Sequence, residues 1–135
     1  MGGWNAQAAN VVAGIFIATG QDPAHVVEGS NCLTIADAIL LPGSGEERAL
    51  HVSVTMPSLQ LGTVGGGTGL EAQASCLKMM NCKPSERPKP GQSSEKLAKI
   101  ISTAVLGGEI SLMAALCTNT LVKAHMNHNR KNAKM

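Results

Sequence analysis

Gly62-Thr63-Val64-Gly65-Gly66-Gly67-Thr68 lies between an alternating stretch that reads as a strand and a periodic stretch that reads as a helix. Three consecutive glycines at such a junction require a backbone reason, because glycine is the residue that tolerates positive φ and the close approach of another group. The run brings several unshielded N–H groups together, and such a loop can cradle a phosphate or carbonyl oxygen. Its spacing is not the Gly-x-Gly-x-x-Gly dinucleotide fingerprint, and no Lys-Ser or Lys-Thr pair follows to make a P-loop. Taken alone, a loop of this kind is an ordinary turn more often than an oxyanion or nucleotide site.

Upstream, Leu50, Val52, Val54 and Met56 fall on one face of a strand with His51, Ser53 and Thr55 on the other, the half-buried antiparallel pattern. Residues 31–41 carry a looser alternation, and Pro42-Gly43-Ser44-Gly45 is a turn cluster, so the pair reads as a hairpin that Pro57 ends. Before it, residues 4–20 read as a helix through Ala8, Val11, Val12, Ile15 and Ala18 with a C-capping glycine. Asn10 lies off the apolar stripe, as a solvated amide or a group aimed at a polar pocket. Asp22-Pro23 is a ready N-cap with proline at the first helical position, and capping alone accounts for Asp22.

Downstream, residues 71–80 read as a short helix and residues 81–92 as a proline-rich, charged surface loop. Ser93 or Ser94 is the expected cap of a long helix through Leu97, Ile100, Ile101, Ala104, Val105, Ile110, Leu112, Ala115 and Leu116. Gly107-Gly108 in its interior costs about 1 kcal/mol per residue against alanine, which implies a bend or a close backbone approach. Thr118-Asn119-Thr120 reads as a stop and a fresh start before a last helix over residues 121–127. The fold class is therefore α+β: mainly helical, with one β-hairpin and a long central helix.

The 135 residues are enough for one domain at most. One Trp, one Phe and no Tyr leave the core to Ala, Val, Ile, Leu and Met. The formal charge of +2 comes mostly from Lys123, Arg130, Lys131 and Lys134 near the end. A basic end with so few aromatics argues against nucleic-acid binding. The four cysteines have no metal-ligand spacing and read as reduced, buried thiols; no metal site is expected. No uninterrupted apolar run is long enough for a membrane span and no signal peptide is evident, so the chain reads as soluble.

Several runs in one order carry a more specific signal: Asn5-Ala6-Gln7-Ala8-Ala9-Asn10, Gly20-Gln21-Asp22, Thr55-Met56-Pro57-Ser58, Gly62 to Thr68, Ser111 to Leu116 and His125-Met126-Asn127-His128-Asn129-Arg130. Together they resemble the C-terminal part of the catalytic domain of eukaryotic 3-hydroxy-3-methylglutaryl-coenzyme A reductase. The resemblance implies that residues 1–135 belong to the large lobe, with residues 119–135 as a C-terminal helix and flap. It also implies reduction of HMG-CoA to mevalonate and coenzyme A with NADPH, in isoprenoid and sterol synthesis. On that pattern Asp22 is the catalytic aspartate and His125 protonates the departing thiolate. Asn10 and the apolar shelf Leu112, Ala115 and Leu116 meet the substrate, although plain core packing serves the shelf residues equally well. Gly65, Gly66, Gly67, Asn129 and Arg130 lie along NADPH, where a guanidinium suits a phosphate.

The resemblance further implies a homo-oligomer, tetrameric in the full enzyme, with active sites built across a dimer interface, and a catalytic part on the cytosolic face of the endoplasmic reticulum. It leaves the segments with the catalytic glutamate and lysine, and the small cofactor lobe, outside these residues. Loss of one such oxyanion stabiliser typically costs roughly 10²–10³ in rate, so the chain by itself is expected not to turn over. Gln7, Gln60 and His25-Val26 depart from the family's usual His, Glu and Gln-Asn, and Lys131 replaces the serine that is phosphorylated in many relatives. Against a reductase fragment stand two other readings: a non-catalytic oligomerisation or interaction module, and, resting on the glycine loop alone, a nucleotide-binding module.

Overall fold

The computed structural model describes residues 4–43, 45–84 and 89–129. Arg130 and Lys131 to Met135, residues 85–88 of the expected loop, Ser44 of the expected turn and residues 1–3 lie outside that set. The element order is α1 (Ala8–Thr19), a 3₁₀ turn (Pro23–His25), α2 (Val26–Gly29), β1 (Leu33–Leu40), β2 (Arg48–Thr55), a 3₁₀ turn (Gly66–Gly69), α3 (Glu71–Met79), α4 (Gln92–Cys117) and α5 (Thr120–Asn129). The α+β architecture, the single hairpin and the long helix follow the sequence expectation.

Two helical stripes make the core. Ala8, Val12 and Phe16 recur every fourth residue on α1, and Leu97, Ile101 and Val105 do so on α4; all six are fully buried where the two helices pack together. Leu77 of α3, Cys32 and Cys82 close the cluster, and Val54, Met56, Leu59 and Leu61 pack against it. By length and composition alone α4 could cross a membrane, but a core helix passes the same test and no clear membrane span is present among the described residues. The same helix supplies the core stripe of this fold, and it carries Glu95, Lys96, Lys99 and Glu109.

α1 starts four residues later than its periodicity suggests. The Asn5 side chain accepts the N–H of Ala8 at 2.9 Å, so residues 5–7 form the entry to the helix and not its first turn. Its other end follows the expectation, with Gly20 left-handed at φ 72°. α4 begins at Gln92 after a left-handed Gly91, and Ser94 donates to the Gly91 carbonyl, so neither expected serine is the cap. Gly107-Gly108 does not interrupt α4. A Cβ at Gly108 would collide with the Gln7 amide and approach Val11, which identifies the crossing with α1, whereas Gly107 faces open space.

The hairpin pairs Leu33 with Thr55 through Leu40 with Arg48, antiparallel and without a break. Its burial fades along its length. Val52 and Val54 are half-buried, but Leu50 is 66% exposed, and on the opposite face Leu33, Ile35 and Ile39 are all exposed. The half-buried reading therefore holds only near the core, because among the described residues nothing lies over the outer part of the sheet. The cysteines divide in the same way: Cys32 and Cys82 are buried, Cys76 is partly so and Cys117 is exposed, so the expectation of four buried thiols fails at α4's far end.

Candidate functional site

The glycine loop meets the end of α1 backbone to backbone. A Cβ on Gly20 would collide with the Gly67 carbonyl group and lie 2.7 Å from Thr68 N, and one on Gly67 would lie 2.8 Å from Gly20 O. Gly65 and Gly66 take positive φ, 79° and 50°, with open space where a side chain would stand. The three glycines thus have two separate physical reasons: Gly67 for contact with Gly20, and Gly65 and Gly66 for the turn that leaves the loop's outer surface bare.

Gln21 fastens this arrangement. Its buried side chain donates from Nε2 to Gly62 O and accepts the Gly62 N–H at Oε1, each at 2.8 Å, so one amide pairs with both backbone groups of the loop's first residue. At the far end Thr68 Oγ1 donates to Gly65 O at 2.6 Å, and Lys83 Nζ donates to Thr68 O at 3.2 Å. The loop is held at both ends.

Between α1's C-terminus and this loop is an open cleft of about 750 Å³, lined among others by Ile17, Asp22, His25, Leu61, Val64 and Gly65 to Gly67. That volume is in the range of small-molecule sites. Asp22 Oδ1 accepts the Ala24 N–H at 2.9 Å, so Asp22 caps the 3₁₀ turn and stands on the cleft's rim at once. His25 Nδ1 pairs with Glu28 Oε1 at 2.5 Å, while its Nε2 faces Asp22 Oδ2 at 3.8 Å. The Glu28 hydrogen bond raises the His25 pKa above its ordinary value, assisted by the charges of Glu28 and Asp22 and opposed by some desolvation. The same bond to His25 lowers that of Glu28.

The remaining expected site residues are elsewhere. Asn10 is exposed on α1. Leu112 and Ala115 are half-buried on α4 and Leu116 is 53% exposed. His125 is exposed on α5, and Asn129 is that helix's last residue. α5 touches α4, and none of its described side chains lines the cleft. The structure thus brings Asp22 together with Gly65, Gly66 and Gly67, and does not bring His125 to them; Arg130 lies outside the described residues.

Two organising residues escaped the sequence reading. Nothing in Gly20-Gln21-Asp22 marks the Gln21 side chain as the partner of Gly62, 41 residues away. Glu109, 1% exposed, accepts the Ala6 N–H at both oxygens (3.1 and 2.8 Å), the Gln7 N–H at 2.8 Å and the Thr34 hydroxyl at 3.2 Å. It places an acidic group at the start of α1, whose own first turn has none. The available signal was spacing: Glu109 continues the Leu97–Ile101–Val105 stripe by four residues, so a carboxyl was due on a buried face.

Comparison with known proteins agrees with the resemblance. The family profile described as hydroxymethylglutaryl-coenzyme A reductase matches residues 1–130. The chain is 50% identical over 131 residues to 3-hydroxy-3-methylglutaryl-coenzyme A reductase 2 of Dictyostelium discoideum, covering 97% of this chain and 24% of that protein. It is 50% identical over 135 residues to reductase 1 of Cannabis sativa, covering 100% of this chain and 23% of the relative. It is 51% identical over 130 residues to reductase 1 of Gossypium hirsutum, covering 96% and 21%. The chain therefore spans about a quarter of the length of the curated relatives it matches. On a profile that runs through nearly all of its residues, the chain belongs to the hydroxymethylglutaryl-coenzyme A reductase family.

Proposed function

We propose that these residues supply part of the large lobe of an NADPH-dependent HMG-CoA reductase, which reduces HMG-CoA to mevalonate and coenzyme A. The observation that carries the reading is the cleft lined both by Asp22 and by a bare, doubly fastened glycine backbone. Gly65 and Gly66 fit a dinucleotide laid along the loop, because nothing lies within 4 Å of where their side chains would be. NADPH, when bound, would supply a hydride in each of two successive reductions, so that two molecules are consumed for each thioester taken to the alcohol. Asp22 holds a carboxyl at the rim, where it takes part in proton movement near the reacting carbonyl. His125 is the proton donor to the leaving thiolate, brought in from the α4–α5 arm when the site closes. Asn10 and the Leu112, Ala115 and Leu116 shelf orient the acyl group, and Asn129 and Arg130 reach the cofactor.

The 135 residues by themselves do not turn over on this reading, since the described cleft lining holds no lysine to stabilise an oxyanion. The complete site is built in a homo-oligomer, on the cytosolic face of the endoplasmic reticulum. The alternative, a non-catalytic interaction module, has one observation in its favour: the exposed apolar face of Leu33, Ile35 and Ile39. A chimera separates the two. With these residues replacing the matching segment of the Dictyostelium reductase, NADPH oxidation by HMG-CoA is expected, and Asp22→Asn or His125→Ala lowers kcat by roughly 10²–10⁴. A folded chimera without turnover, or one indifferent to both substitutions, favours the interaction module.

A further inference from the structure

Among the described residues, the one titratable neighbour of Asp22 in the cleft lining is His25, whose Nδ1 is hydrogen-bonded to a carboxylate and whose Nε2 lies within ion-pair distance of another. Nδ1 is held by Glu28 at 2.5 Å, which fixes the ring's orientation from behind. Nε2 then points toward Asp22 Oδ2 at 3.8 Å, while Asp22 Oδ1 is engaged by the Ala24 N–H. An imidazole between two carboxylates is set up to carry a proton on each nitrogen. From the other elements around the cleft, the lining residues Ile17, Gln60, Leu61, Val64 and the glycines bring no charge, so among the described residues Asp22 and Glu28 are the groups that set His25's protonation.

We propose that His25 is a positioning residue for Asp22: its imidazolium, gripped by Glu28, places a positive charge against the second oxygen of the Asp22 carboxylate at the lip of the cleft. The consequence for catalysis rests on the reductase reading; the pairing itself does not. The arrangement leaves the Asp22 carboxylate with one oxygen on a backbone N–H and the other facing a charge that disappears as pH rises. Neither fixed cation nor neutral amide would give that dependence.

The test reads the imidazole directly. In heteronuclear NMR titrations of the 135-residue chain, the His25 Cε1–H midpoint is expected above its value in concentrated urea. Glu28→Gln lowers it most, and Asp22→Asn lowers it by a smaller, resolvable amount. A native midpoint equal to that in urea, or one that Asp22→Asn leaves in place, overturns the proposal. In the chimeric reductase, kcat is expected to fall as pH rises through the His25 midpoint, and His25→Gln to convert that fall into a pH-independent loss. A pH profile unchanged by His25→Gln refutes the positioning role. Since the midpoint is measured without turnover, an inactive chimera counts against the reductase reading alone, and an unmoved midpoint counts against this inference alone.

Discussion

The cleft and the α4–α5 arm differ in how much of their geometry is made by the chain itself. Around the cleft, Gln21 grips Gly62, Gly20 touches Gly67, and Lys83 reaches Thr68, so Asp22 and the glycine loop are fixed relative to each other by contacts within these residues. On the arm, Leu116, Val122 and Met126 are 53%, 66% and 48% exposed, and α5 leans on α4. Among the described residues, nothing aims a group on such an arm, His125 included, at the cleft. The contrast teaches that membership in an enzyme family does not mean that every site residue is preorganised by the same part of the chain.

The sharpest way to break the contrast is at Gly20. Gly20→Ala forces a side chain onto backbone at positive φ, and is expected to destabilise the fold by about 3 kcal/mol or more, read as a lowered urea midpoint. An unchanged midpoint would mean that the close contact is not a constraint. Next, Glu109→Ala strips the acceptor from the Ala6 and Gln7 N–H groups and is expected to cost about 2–4 kcal/mol in the same measurement. On the arm, Leu116→Ala is expected to cost less than about 0.5 kcal/mol, and a loss comparable with Glu109→Ala would show that the arm is packed after all.

The smallest effect is on pH. His25's raised pKa contributes stability that is complete below the unfolded imidazole's value and disappears as pH rises through the folded one. Glu28's lowered pKa contributes above the unfolded carboxyl's value and is lost as pH falls through the folded one. The turn over residues 22–28 should therefore be tightest between the two, with amide protection factors at Ala24 and His25, corrected for the intrinsic exchange rate at each pH, highest there and lower on either side.

Period and punctuation carried much of the fold. The helix periods, the hairpin and the break at Asn119, left-handed at φ 57°, could be read because each depends on residues near in sequence, although the α1 stripe departs from that reading at its end, where Phe16 is buried and Ala18 is exposed. The start of α1 could not, because its N–H groups are satisfied by Asn5 locally and by Glu109 across 103 positions. In the site, Asp22's double position as cap and cleft residue was half-visible in Asp-Pro. Gln21's grip on Gly62, 41 residues away, left no local trace. Nor could sequence tell that the outer hairpin would stand uncovered, since alternation specifies faces and not what meets them.

Amide hydrogen exchange on the purified chain, resolved by residue, tests the division most directly. The account predicts strong protection at Gly62, whose N–H is held by the Gln21 side chain, and at Gln21, whose N–H is held by Phe16 O at 2.9 Å, together with weak protection across Leu121–Asn129. Protection of α5 equal to or above that of Gly62 and Gln21 would contradict it, because the arm would then be as fixed by this chain as the cleft is.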